Sequence, residues 1–163
     1  MNQEKKFFNN KLSIQLSTAF NRMNKADIEA TYPIAAKRPK EVFCTKDQQI
    51  TFSINHTMDK LTLIQLPAYK KLVFEKQFSH PNIRLLNSTI QKIDNQDFIV
   101  MDWIMPIGQA QLYNLLFVTA LEGSMLIGSF NCPENLLPKW QVTFKAALDS
   151  IQILVSEKTK SSP

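Results

Sequence analysis

Two neighbouring segments, 111–121 and 125–132, constrain the fold of this chain more than any other feature, because both carry apolar residues on both faces. In the first, Leu112, Leu116, Val118 and Ala120 alternate with Tyr113, Leu115, Phe117 and Leu121. A strand buried on one side only alternates apolar with polar, so these belong to a sheet covered on both sides. Glu122-Gly123-Ser124 reads as the turn between them. The following stretch, 138–151, places Trp140, Phe144, Ala147, Leu148 and Ile151 on one stripe at helical spacing, which predicts a closing helix over one side of that sheet.

The segments upstream extend this sheet. Runs 83–93 and 98–105 precede 111–121, separated by Asp94-Asn95-Gln96-Asp97 and Pro106-Ile107-Gly108, both rich in turn formers, so an antiparallel meander is expected. Nearer the start, Leu12, Ile14 and Leu16 alternate with polar residues as in a half-buried strand. Asn24 is placed to cap a short helix over 25–31, with Asp27 three residues on and Met23 and Ile28 set as a hydrophobic staple. Segments 41–45 and 49–56 read as a hairpin turning at Lys46-Asp47-Gln48, with Ile50, Phe52 and Ile54 toward the core and 57–60 as a turn. From 64 to 78 the pattern is helical, with Tyr69, Leu72, Val73 and Lys76 sharing a face and Pro67 in the first turn. The expectation is one α+β domain over 1–155, an antiparallel sheet flanked by helices on both faces, followed by a polar tail at 156–163.

Composition limits function mainly by exclusion. At 163 residues with 44% apolar content and eleven Phe, the chain can build a real core. The net charge is +5, concentrated in residues 1–84, where fourteen basic residues face seven acidic ones; residues 85–163 hold five against seven. Only three of the nineteen basic residues are Arg, and the lysines are scattered among apolar segments, which describes a solvated surface and not a nucleic-acid site. Three glycines, Gly108, Gly123 and Gly128, leave no phosphate-cradling loop or dinucleotide fingerprint, so no cofactor is expected. No window is long and apolar enough for a membrane span, and the first ten residues lack a signal-peptide core. A cytoplasmic setting with reduced Cys44 and Cys132 follows as the expectation, and the glycosylation-like Asn55-His56-Thr57 and Asn87-Ser88-Thr89 then carry no meaning.

Few residue constellations suggest chemistry. Cys44, His56, His80 and Cys132 are zinc-ligand types without the close pairs of a zinc site, and no metal is expected. Cys44 and His56 lie on one predicted hairpin, where a thiol–imidazole pair would need an orienting third group that the sequence does not supply. Ser124 sits in a turn and lacks the Gly-x-Ser-x-Gly setting of a nucleophile. Asp102 interrupts the apolar run 98–105 and must find a partner if buried; a general acid or base there is the enzymatic alternative. A small apolar ligand between helix and sheet is a second alternative.

The order of segments, with strand then aromatic from Leu12 to Phe20, the early Trp140, and the ending Ala147, Leu148, Asp149, Ser150 and Ile151, resembles the Mog1/PsbP-like group, which includes the bacterial DcrB-like proteins. Ser17 stands where that group often has Pro, and the opening residues do not read as the leader of its exported members. The resemblance implies an antiparallel sheet between helical layers. It implies little about activity, since members of the group mainly bind or scaffold other proteins: a small GTPase, a photosystem, or secreted effectors. The reading of the chain as a whole is a non-enzymatic, adaptor or chaperone-like binding protein.

The expected partner surface is the loop from Tyr32 to Phe43. Pro33 and Pro39 hold it extended, so that Lys37, Arg38 and Lys40 project from a stiff backbone beside Tyr32 and Phe43. Preorganised Tyr and Arg suit an interface, and the charges call for an acidic protein surface.

Overall fold

A computed structural model describes residues 1–78 and 80–155; the expected tail at 156–163 lies outside the described residues. The meander is present, as β6 (Arg84–Ile93), β7 (Gln96–Ile107), β8 (Ala110–Leu121) and β9 (Ser124–Pro133). Two-residue turns join them, which the local residues explain. Asp94 and Asn95 both have positive φ, as do Glu122 and Gly123, and Gly108 takes the left-handed position of the middle turn. These are the primed turns whose twist matches that of paired strands. β7, β8 and β9 are longer than expected because the turns are this tight.

β9 is followed spatially by β5 (Thr51–Lys60), β4 (Glu41–Cys44) and β3 (Asn21–Arg22), giving a seven-stranded antiparallel sheet ordered β3-β4-β5-β9-β8-β7-β6. Residues 57–60, expected as a turn, instead continue β5 through an irregularity in its pairing with β9. The first face of this sheet presents Phe43, Phe52, Ile54, Phe98, Val100, Tyr113, Leu115, Phe117 and Phe130, all in the main core. The second presents Ile99, Met101, Leu116, Val118, Ala120 and Met125. Both faces are therefore apolar, as the alternation in β8 requires.

The closing helix α3 (Leu137–Asp149) lies on the first face through Phe144, Ala147 and Leu148, with Pro138 in its first turn. It shares that face with a feature the sequence did not suggest. A second sheet, ordered β1-β2-β10, is built from β1 (Asn2–Phe7), β2 (Leu12–Ser17) and β10 (Gln152–Ile153), and Leu12, Ile14 and Leu16 of β2 enter the same core. The β1–β2 connection works because Phe8, Asn9 and Asn10 all take left-handed backbone, and Asn is one of the few side chains that tolerate it.

Helices also cover the second face, as expected. α1 (Lys25–Thr31) is capped by Asn24, whose Oδ1 accepts from the Asp27 N–H at 2.8 Å, and Ile28 and Met23 meet in a small cluster with Val42, Cys44 and Tyr32. At the other end of the face, segment 63–78 opens with a capping box of Thr62 and Gln65, passes through α2 (Leu66–Tyr69), and widens into a π turn at Lys70–Phe74. That extra residue rotates the helix, so Leu66 and Phe74 are buried while Leu72 points outward, 68% exposed. The predicted face of Tyr69, Leu72, Val73 and Lys76 is thus corrected: uniform 3.6-residue spacing does not apply across a π turn.

Candidate functional site

On the first face, α3 and the small sheet stop short of the outermost strand, leaving a cleft of about 270 Å3 between α3 and the β6–β7 edge. Asn87, Thr89 and Gln91 of β6 form one wall, Val100 and Asp102 of β7 with Tyr113 and Leu115 of β8 the floor, and Gln141, Lys145 and Leu148 of α3 the other wall. Asp102 is 8% exposed. Its Oδ1 accepts from Asn87 Nδ2 at 3.0 Å and its Oδ2 from the Tyr113 hydroxyl at 2.8 Å. Asn87 lies directly across from Asp102 in the β6–β7 register, and a break in that register between Leu85 and Asn87 sets it there. Tyr113 reaches diagonally from β8, where it pairs with Ile104. Burial, together with its hydrogen bond to Asp102 and the charge there, holds the Tyr113 phenol far above its ordinary pKa, so it remains a donor.

The partners that buried Asp102 requires are supplied by the two adjacent strands. Sequence reasoning singled out Asp102 but missed Asn87, Tyr113 and Lys145. Gln141, Lys145 and Leu148 do carry a signal, since they recur at i, i+4 and i+7 along one edge of the apolar stripe of α3.

The second face carries a smaller groove of about 180 Å3 in the bare strip between α1 and segment 63–78. Its floor is Ser53 and Asn55 of β5, Leu116 of β8, and Ile127 and Ser129 of β9; Lys37 and Pro39 stand at its rim. The Ser53 and Ser129 hydroxyls pair with one another at 3.1 Å. Asn55 Oδ1 is shut off from solvent and accepts no hydrogen bond.

The residues expected to meet a partner separate into three roles. Lys37 and Lys40 are exposed, Lys37 within a turn of 3-10 helix at Ala35–Lys37 where an irregular loop was expected. Arg38 folds the loop, donating to the Tyr32 carbonyl at 2.9 Å and the Pro33 carbonyl at 3.3 Å, and Tyr32 is half-buried against the α1 cluster. Phe43 is a core residue, 2% exposed on the first face, with its ring edge-on to Phe7 and capped by Arg22. A one-residue alternation places it on the opposite side of the sheet from Val42 and Cys44, and so away from Tyr32.

The other nucleophile and ligand candidates do not converge. Cys44 lies on the second face and His56 follows Phe52 and Ile54 onto the first, so they form no pair. His56 Nε2 is 2.7 Å from the Leu121 carbonyl and 2.7 Å from Ser124 Oγ. A carbonyl only accepts, so Nε2 carries the proton and is no base toward Ser124. Cys132 is buried, which pushes its thiol up to about 11. Among the described residues, no three His, Cys, Asp or Glu gather as a metal site would require.

No protein-family model matches the chain, and no curated protein is similar to it in sequence. Solved structures are similar in shape. The cyanobacterial PsbP of Synechocystis sp. PCC 6803 superposes with a TM-score of 0.61 over 93% of this chain and 92% of its own, at 13% identity. LpqN of Mycobacterium tuberculosis, a protein involved in cell envelope biogenesis, gives 0.53 over 93% and 90% at 3% identity. A Pseudomonas aeruginosa protein of unknown function gives 0.50 over 91% and 94% at 13% identity. At such identities the likeness is one of architecture, and the architecture of this chain is the Mog1/PsbP-like fold.

Proposed function

We propose that this chain is a non-enzymatic binding module whose partner is an acidic segment of another protein, seated in the groove on the second face of the large sheet. The observation that supports it is the groove itself, floored by Ser53, Asn55, Leu116, Ile127 and Ser129 with exposed Lys37 at its rim. A groove of about 180 Å3 accommodates one or two side chains, the scale of an anchor pocket at a protein interface. Exposed Lys37 at its rim, with exposed Lys40 following rim residue Pro39 in the chain, favours a negatively charged partner. The binding and scaffolding roles common in proteins of this fold agree with that reading. A cytoplasmic setting suits it as well, since the two free thiols lie on opposite faces of the sheet.

The test is photo-crosslinking in the native host from a reactive residue placed at position 129, with position 142 on the exposed side of α3 as control. An acidic protein captured from 129 and not from 142, and lost on Lys37→Glu with Lys40→Glu, supports the proposal. Equal capture from both positions, or capture unmoved by the charge reversal in a folded variant, overturns it.

A further inference from the structure

The cleft on the opposite face has a different chemistry. Asp102 receives two neutral hydrogen bonds, which occupy about half of a carboxylate's acceptor sites, and no cation lies within salt-bridge range of it among the described residues. A carboxylate 92% withdrawn from water and left without a positive partner is a costly arrangement for structure alone. Tyr113 and Asn87 fix its position, and the residue itself lines the cavity.

Across the cleft, Lys145 also makes no ion pair among the described residues, although Asp149 follows one turn later on the same helix. It lines the cleft instead. One cavity therefore holds an unpaired carboxylate in its floor and an unpaired ammonium on its exposed wall. Val100, Leu115 and Leu148 supply the apolar surface between them, and Thr89, Gln91 and Gln141 further hydrogen-bonding groups. The volume of about 270 Å3 exceeds many times the roughly 10–15 Å3 that one water needs. It sits just below the range of small-molecule sites, which begins at about 300 Å3.

We propose that this cleft binds a small zwitterion of amino-acid size, its ammonium group on Asp102 and its carboxylate on Lys145. A primary ammonium brings three donors to the open lone pairs of Asp102 and to the neighbouring amide and hydroxyl oxygens. A ligand of either charge alone leaves one of the two protein charges unmatched, which makes the site selective for molecules bearing both. This site is separate from the protein-binding groove and does not depend on it.

Isothermal titration of the full chain tests the proposal with L-leucine and the series glycine, β-alanine, 4-aminobutyrate and 6-aminohexanoate, whose charge separation increases stepwise. Butylamine and butyrate serve as single-charge controls. At least one zwitterion is expected to bind saturably below 10 mM, at least tenfold more tightly than either control. Lys145→Met, a change on the exposed side of α3, is expected to weaken that binding tenfold or more, and Asp102→Asn to abolish it. No saturable binding by any of the five zwitterions, binding by a single-charge control as tight as by the best zwitterion, or undiminished binding by folded Lys145→Met overturns the proposal.

Discussion

Gly128 makes the sharpest demand on the core. It lies across from Phe117 in the β8–β9 register, and a Cβ built on it falls 2.2 Å from Phe117 Cζ and 2.7 Å from both Cε atoms. Its φ is not in the left-handed region, so Gly128→Ala is allowed by the backbone and would by itself gain about 0.4–1 kcal/mol through the unfolded chain. The contact decides against it, because Phe117 has nowhere to go. It is fully buried, with ring centroids of Phe52, Phe98 and Phe130 at 6.3, 6.4 and 6.3 Å. Overpacking a filled core costs about 1–3 kcal/mol, which exceeds the entropic gain over most of that range. For a chain of this length each kcal/mol lowers Tm by roughly 2–4 °C. Urea unfolding should show Gly128→Ala destabilised, and Phe117→Leu, which vacates the space, should make the double variant less impaired than the two single losses combined by about 1 kcal/mol. A Gly128→Ala protein as stable as wild type, or strict additivity of the pair, would refute the claim that the ring sits on the glycine.

Two further outcomes follow from burial. Phe144→Ala should cost about 3–5 kcal/mol, because the ring is fully buried and stacks on Phe130 at 5.0 Å; Trp140→Ala should cost clearly less, since that side chain is only half-buried at the helix start. Equal losses in parallel thermal melts would reverse this ranking. The Tyr113 phenol is held above its unfolded value near 10, so the folded state keeps a proton that the unfolded chain releases, and stability should fall as pH rises beyond about 10 by up to about 1.4 kcal/mol per unit. Tyr113→Phe should be less stable at neutral pH by about 1–3 kcal/mol yet show a shallower alkaline decline. An identical alkaline slope in the two proteins would place the titrating group elsewhere.

Local chemistry settled much of this fold in advance. Asn24 with Asp27 starts α1 where the cap allows it, and Asp94-Asn95 and Glu122-Gly123 reverse the chain in two residues. The stripe Phe144, Ala147 and Leu148 can bury itself only against a sheet, and the two-sided apolarity of β8 demands cover on both faces. Such features act within a turn or along one strand, so they are legible from neighbours in sequence. Tertiary structure decided what depends on distant partners. The polar run Asn2–Phe7 becomes a strand because β2 offers it an edge, and the π turn at Lys70–Phe74 moves Phe74 inward where even periodicity would expose it. Phe43, expected beside Tyr32 at a partner surface, lies in the core on the opposite face through the pairing parity of β4 alone. The environment of Asp102 comes from three strands and a helix, with Asn87 delivered by a break in register and Lys145 from across the cleft. Register and layer packing follow from the combined burial of the whole chain, which no local pattern encodes.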